Sequence, residues 1–547
     1  MRNTSNIYNI LLNSAARLPE KTAIVEPERQ WTYTELLQAV NRAADAFWNL
    51  GIRKGDKVAL ALRNSAEFII TGMAAAKMGA AMVPVNFMVS KPEELAFILS
   101  DSQCKGVITQ REFLRNYTKT LQTLGTKPFL LSIDGSANGE AEDFWELVNR
   151  AGHTPQAHQQ QTSPDDISCL LYTSGTTGNP KGVILSHYNM ISNAISAQAI
   201  FSVTDDDVFL CLLPMFHTFS WLGTTLLPLM MGCKTVVISH LTPPKPWLRL
   251  MGREGVTVMT GVPQLFAVLA KEASGLKRLY LQYWSFRRAR ILVSGAAPLP
   301  RETGERFRQA IGVPLLEGYG LTETSPVISV NTPEENRPGS VGRPMPGIRV
   351  AVIGEAGNHL PAGQEGEICV KGPNVTAGYH NNPQASRDLF TADGWMRTGD
   401  IGLVDEDGFV FIRDRIKDMI IIKGLKVFSA QVEAVLQNHP ALAEVAVIGI
   451  PDESGDETIK AFCVLKEGAE CEKAELKNFI RENLDPYKRP KEIEFMAELP
   501  KNALNKILKR KLRETEIARL KNKKTACRPV PGELVTGTAA VLGRPLR

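Results

Sequence analysis

The sequence predicts an α/β protein: a large N-terminal domain of layered α/β subdomains that runs into a β-rich subdomain, followed by a small α+β C-terminal domain. Three observations lead there. Helical and strand-like segments alternate from the N-terminus: 33–50 is helical, Gly51 and Gly55 mark a turn, 57–63 is extended, and the alternation recurs at 67–78 with 80–85 and at 92–100 with 106–109. Between 340 and 413 the helical patterns thin out and short strands with glycine turns take over, as at 366–371 and 408–413. Beyond Arg415 a fresh alternation begins, with helices at 429–437 and 473–483 and strands at 445–450, 460–465 and 492–495.

Each part follows from local chemistry. Strands separated by helices of roughly 10–15 residues need crossover connections, so the sheets of the large domain are expected to be largely parallel. Further strands are expected at 167–172, 207–213, 235–239, 256–261 and 290–294, after a polar surface connection over 130–165. The domains are placed at 1–414 and 415–515, with a basic, low-structure tail at 516–547. Two apolar stretches, 68–89 and 219–238, are interrupted by Lys77, Pro84 and Asn86 and by Pro228, Gly232 and Lys234. They read as buried core, since a spanning helix wants about 20 nearly uninterrupted apolar residues.

With 44% hydrophobic and 22% charged residues over 547, the composition excludes a disordered, fibrous or disulfide-stapled chain. A net charge of +5 over that length is too mild to indicate nucleic acid. The eight cysteines show no CxxC pair and no zinc-like spacing, so they read as free thiols. Their scatter, and an N-terminus without a signal-like apolar region, point to the cytoplasm.

The strongest local feature is the loop Thr173, Ser174, Gly175, Thr176, Thr177, Gly178 that leads through Asn179 and Pro180 to Lys181, directly after an apolar strand. Glycines let backbone N–H groups crowd an anion, hydroxyls donate or bind a metal, and the lysine adds a positive charge. The spacing is not that of a Walker A loop. A Ser/Thr-rich surface turn is the bland alternative.

With its trailing Pro-Lys-Gly the string resembles the phosphate loop of the adenylate-forming superfamily, which comprises acyl- and aryl-CoA ligases, peptide-synthetase adenylation domains and luciferases. Within it the chain is most similar to bacterial fatty-acid–CoA ligases. The family's other motifs follow in order. His217, in Pro-Met-Phe-His-Thr-Phe-Ser, resembles the histidine that borders the acyl carboxylate. Gly295 and Ala296, then Glu317, Gly318, Tyr319 and Gly320, resemble the adenine motifs, where glycines let backbone lie along a purine and the tyrosine ring stacks on it. Thr322 would donate to the α-phosphate, and Glu323, with Thr173 nearby, would hold Mg²⁺ through hard oxygens. Asp400 and Arg415 resemble the ribose-binding pair, and Lys417 the hinge about which a mobile small domain turns. Lys423 and Gly424 resemble the segment that meets coenzyme A. Lys506 resembles the lysine that bridges the attacking carboxylate and the α-phosphate. Asn505, Ser429 and Gln431 depart from the family pattern, which usually has Gly, Pro and Glu there.

The resemblance implies two half-reactions: a carboxylate attacks ATP to give an acyl-adenylate and pyrophosphate, and a thiol then displaces AMP. Residues 216–225 hold no Asp to anchor an amino group, and no carrier domain follows, which favours coenzyme A as the acceptor. The apolar run 257–269, which borders the acyl site in relatives, suits a fatty acid and also admits an aryl acid. A different class stays open, a membrane-surface or acyl-adenylate-binding protein without full turnover. Residues 506–524 are strongly basic with interspersed apolar side chains, as a helix on an anionic lipid surface would be. A homodimer is the base-rate expectation for the assembly.

Overall fold

The computed structural model describes residues 6–135, 139–151, 159–173, 179–422, 425–451, 457–502 and 506–526. The chain divides into two compact units, Met1–Lys417 with Lys501–Lys506, and Asp418–Pro500 with Ile507–Arg547.

The first unit is built on two mixed sheets. One runs, edge to edge, through Glu142–Asp143, Phe129–Ser132, Gly106–Thr109, Lys57–Ala61, Ala81–Pro84, Ile167–Thr173 and Lys181–Ser186. All of its pairings are parallel except the last, an antiparallel hairpin. The other runs through Arg343–Pro344, Val327–Val330, Leu316–Gly320, Ile291–Ser294, Val258–Gly261, Val208–Cys211, Lys234–Val237, Thr22–Val25 and Gln30–Thr32. Its middle strands are parallel and its edges antiparallel. The expected β-rich part is a four-stranded antiparallel sheet of Arg349–Ile353, Gly366–Lys371, Met396–Val404 and Val410–Arg415.

Local signals explain the principal helices. Thr32 and Glu35 form a capping box that starts the helix Tyr33–Asn49. Its buried Leu36, Ala39, Val40, Ala43, Ala44 and Phe47 recur at the three- and four-residue spacing of one helical face. The apolar stretch from 68 resolves into the helix Ala66–Lys77, buried all round, and the strand Ala81–Pro84. Lys77 lies in that interior with its Nζ donating to Asn41 Oδ1 at 2.9 Å, and burial lowers its pKa. The stretch from 219 is a short helix, a π turn at Leu222–Leu226, a second helix and the strand Lys234–Val237. No described helix is long and apolar enough to cross a membrane. The seven cysteines in the described residues are free thiols, six of them buried.

The second unit packs helices Ser429–Gln437, Lys473–Asn483 and Lys509–Ala526 with a sheet of Leu442–Pro451, Glu457–Leu465 and Glu492–Phe495. The helix Lys509–Ala526 takes in residues 516–526 of the segment expected to be low in structure. It also alters the lipid-surface reading of 506–524. Leu512 is buried against Ala446, Ile448, Ile450 and Phe462. Glu516 is buried with its carboxylate 2.7 Å from Lys460 Nζ, and Arg519 pairs with Glu494 and Glu516. The inner side of this helix belongs to its own domain's core.

Trp221, almost fully buried, lies over Gly72, where an added Cβ would stand 3.0 Å from the indole Cη2. Trp221→Ala is expected to lower the unfolding free energy by about 3–5 kcal/mol, whereas Leu276→Ala, at a position 85% exposed, should change it by no more than about 0.5 kcal/mol. Urea titrations of both variants check this.

Candidate active site

Parallel strands leave their carboxyl ends as a natural crevice for ligands, because the chain departs there into loops. Four adjacent strands of the nine-stranded sheet end in the motifs singled out above. Val208–Cys211 leads to His217, Val258–Gly261 to the run ending at Leu269, Ile291–Ser294 to Gly295 and Ala296, and Leu316–Gly320 to Thr322 and Glu323. Register does the rest. Ser294 pairs with Glu317, which sets Gly295 and Ala296 beside Glu317 and Gly318. A Cβ on Gly320 would stand 2.0 Å from the Pro326 carbonyl oxygen, so only glycine lets the two backbones approach there.

Glu317 points its Oε1 at the Leu299 N–H, 2.9 Å away. Burial raises its pKa to about 7 despite that bond. Thr322 and Glu323 lie in a short 3₁₀ turn, Thr322–Thr324. Asp400 is buried and receives the Tyr319 hydroxyl on Oδ2 and the Arg415 Nε on Oδ1 at 3.2 Å. Asp400 and Arg415 are direct partners across the antiparallel hairpin Met396–Val404/Val410–Arg415, which is why they are fifteen residues apart. The Tyr319 phenol, desolvated and facing a carboxylate, has its pKa pushed well up, so it stays a donor.

The loop residues Ser174, Gly175, Thr176, Thr177 and Gly178 lie outside the described residues, as do Lys423, Gly424 and Asn505. The hairpin that carries the loop is described, with Thr173 paired to Lys181 and its Oγ1 donating to the Lys181 carbonyl at 3.5 Å. Residues 376–380 lace onto its second strand. Ile184 N–H donates to Gly378 O at 3.1 Å and His380 N–H to Gly182 O at 2.7 Å. This segment reaches Glu323 twice: Thr376 N–H donates to its carbonyl at 2.8 Å, and the Tyr379 hydroxyl donates to its Oε1 at 2.9 Å. Lys181 Nζ sits 5.1 Å from the centre of the Tyr379 ring. Tyr379 thus couples the lysine of the loop to the acidic turn. Sequence reading missed it, because an aromatic between glycine and asparagine turn residues shows no periodicity.

His217 caps a short helix, with its ring 4.9 Å from that of Phe216. Burial lowers its pKa to about 4, so it is neutral near pH 7. The strand-to-helix loop before it is pinned by Asn64, which accepts from Met215 N–H at 2.8 Å and donates to Leu213 O at 2.9 Å. Part of the run 257–269 is core: Phe266 and Leu269 are buried, and the Phe266 ring meets Phe307 edge-on at 5.2 Å. The apolar character that suggested an alkyl pocket there is in part ordinary packing. Lys417 is the last residue of the first stretch of the large unit, in the turn Ile416–Asp418. Lys506 N–H donates to Asn502 Oδ1, and Asn502 N–H to the Lys506 carbonyl, each at 2.9 Å.

Comparison with known proteins places the chain in a family. Residues 11–380 match the model of the AMP-binding enzyme family, and 431–506 that of the AMP-binding enzyme C-terminal domain. The long-chain-fatty-acid–CoA ligase of Bacillus subtilis (strain 168) is 35% identical over 537 residues, 93% of this chain and 94% of the relative. The 4-coumarate–CoA ligase 3 of Arabidopsis thaliana is 33% identical over 498 residues, covering 89% and 86%. Among solved structures, an anthranilate CoA ligase, AuaEII, in complex with anthranoyl-AMP superposes with a TM-score of 0.86 at 29% identity, covering 94% of this chain and 98% of that one.

The raised pKa of Glu317 has a consequence for stability. Between about pH 4.5, where the unfolded carboxyl ionises, and about 7, where the folded one does, rising pH favours the unfolded chain. Glu317→Gln removes that loss. The variant is expected to match the parent near pH 4 and to exceed it at pH 8 by on the order of 1–3 kcal/mol, read from urea titrations at both values.

Proposed function

Because the chain belongs to the AMP-binding enzyme family and is an adenylate-forming acyl- or aryl-CoA ligase, we propose that its acid is a long- or medium-chain fatty acid, activated with ATP and Mg²⁺ and passed to coenzyme A. The observation that carries the nucleotide part is the buried Asp400 of the four-stranded sheet, held between its cross-strand neighbour Arg415 and Tyr319 at the carboxyl end of Leu316–Gly320. A carboxylate fixed there accepts from the two ribose hydroxyls while the Tyr319 ring meets the purine. The fatty-acid part is supported by the similarity to bacterial long-chain ligases over nearly the whole chain, and coenzyme A by the absence of an Asp at 216–225 to anchor an amino group. Aryl acids are the second reading, favoured by the relatives that act on coumarate and anthranilate.

In the first half-reaction the acid's carboxylate attacks the α-phosphorus and pyrophosphate leaves. Thr322 donates to the α-phosphate, Lys181 and the loop 174–178 hold the outer phosphates, and Lys506 offsets the charge that builds as phosphorus becomes five-coordinate. A neutral His217 borders the acid without pairing with it as a cation, which preserves the carboxylate as a nucleophile. Glu323 and Thr173 supply hard oxygens, the donor set that suits Mg²⁺, an ion that uses few protein ligands and keeps waters and phosphates for the rest. When bound, that ion neutralises phosphate charge. Tyr379 holds the Glu323 carboxylate in place by its hydroxyl. Turning about Lys417 then brings Lys423 and Gly424 to the thiol, which displaces AMP from the acyl-adenylate.

Incubation with ATP, Mg²⁺, coenzyme A and a panel of alkyl and aryl acids, read by mass, is expected to yield alkyl-CoA products and AMP. A preference for aryl acids across the panel overturns the fatty-acid assignment. Lys506→Ala should reduce acid-dependent pyrophosphate release by at least about a hundredfold while thiol transfer from preformed acyl-adenylate persists. Tyr379→Phe, which removes one hydrogen bond to a charged group, should lower kcat/KM for ATP by roughly tenfold or more and raise the Mg²⁺ needed for half-maximal rate.

A further inference from the structure

Thirteen large apolar side chains are exposed among the described residues, and six of them, Val268, Leu276, Leu279, Tyr280, Tyr283 and Trp284, fall within one short stretch. They lie on the crossover that joins strand Val258–Gly261 to strand Ile291–Ser294, on the helix Pro263–Glu272 and the continuous helical segment Gly275–Tyr280 and Leu281–Ser285. Positions 276, 279, 280 and 283 follow the three- and four-residue spacing of a single helical stripe. Leu276 is 85% and Tyr283 68% exposed.

The segment is firmly seated. Leu281, Ser285 and Phe286 are buried on its inner side. Trp284 lies across Gly252, where an added Cβ would stand 2.3 Å from the indole Nε1, and Arg287 Nη2 donates to the Gly252 carbonyl at 3.0 Å. The stripe is therefore held outward by the fold.

Its charge is one-sided. Exposed Lys271, Lys277, Arg278, Arg287 and Arg288 share its crossover, and the one carboxylate between 263 and 289 is Glu272, paired with Lys277 at 2.7 Å. The acidic residues of the adjoining helices are engaged within the protein: Glu302 with Arg306, Glu305 with Arg301, and Glu254 with Lys234. Leucine, tyrosine and tryptophan accompanied by lysine and arginine match the boundary between lipid headgroups and acyl chains, where aromatic side chains settle and basic ones meet anionic headgroups.

We infer that this stripe docks the protein on an anionic lipid bilayer. The surface involved is the crossover 263–289 and not the helix Lys509–Ala526. The inference does not rest on the identity of the acid, because docking is measured without one.

The test is flotation of the full chain with vesicles of phosphatidylcholine mixed with phosphatidylglycerol, beside pure phosphatidylcholine vesicles. The wild type is expected to float with the anionic vesicles, weakly with the neutral ones, and less as salt rises. The doubly substituted Leu276→Ser/Tyr283→Ser and Lys277→Glu/Arg278→Glu chains should each lose roughly tenfold or more in partitioning, with unchanged circular dichroism and acid-dependent pyrophosphate release. No flotation of the wild type, or equal flotation with neutral vesicles, overturns the inference. So does full retention by both variants, or loss only on charge reversal of Lys521, Lys523 and Lys524. Self-association that Leu276→Ser/Tyr283→Ser abolishes, without any vesicle binding, assigns the stripe to a second copy of the chain and overturns it too.

Discussion

A carboxylate taken out of water must be answered by donors, and Asp400 is answered by two that come from different parts of the chain. Arg415 is its cross-strand neighbour, supplied by the hairpin itself. Tyr319 belongs to the nine-stranded sheet, so its hydroxyl bond to Asp400 ties that sheet to the four-stranded one. Losing either donor leaves a buried charge facing an incomplete set, a heavier penalty than an exposed ion pair would incur. The place where a nucleotide sugar would be recognised is thereby also where two layers of the fold are fastened.

Glu323 repeats the device. Its carboxylate is held by the Tyr379 hydroxyl, and its backbone by Thr376, on a segment laced to the strand Lys181–Ser186. Both phenols face a carboxylate and are desolvated, which pushes their pKa values up and keeps them protonated, so neither carboxylate loses its donor at working pH. Set against these fixed anions, His217 is held neutral and the Glu317 pKa is drawn toward neutrality by burial. Charge is thus concentrated on a few anchored groups, an arrangement that needs little reorganisation when phosphate charge shifts during a reaction.

Much of this was legible in the sequence, for identifiable reasons. The helices Ser429–Gln437 and Lys473–Asn483 and the strand Glu492–Phe495 fall where periodicity put them, because their inner faces alone carry apolar residues at the right spacing. Motif strings brought out the residues proposed for the nucleotide because their glycines, hydroxyls and acids are adjacent in the chain. What escaped depended on neighbours distant in sequence. Tyr379 matters only because 376–380 pairs with a strand near residue 184, and Asn64 only because it reaches the loop at 213–215. The burial of Leu512, which takes the inner side of a basic helix away from solvent, likewise depends on strand partners more than forty residues upstream. The same holds in reverse for the stripe at 276–283, whose exposure depends on which side of its helical segment the rest of the fold covers.

In the proposed reading, chemistry and selectivity reside on different kinds of residue in this architecture. The described groups Asp400 and Glu323 are polar and held by hydrogen bonds, so in that reading any acid presented there meets the same machinery. The run 257–269, by contrast, faces two demands at once. Phe266 and Leu269 must fill the core beside Phe286 and Phe307, and in the proposed reading the neighbouring side chains shape the space for the acid. Volume changes at core positions are costly, whereas a neighbour that only borders a cleft can change size at little cost. The same fold can therefore serve different acids, and the coumarate, anthranilate and long-chain ligases stand at comparable similarity to this chain.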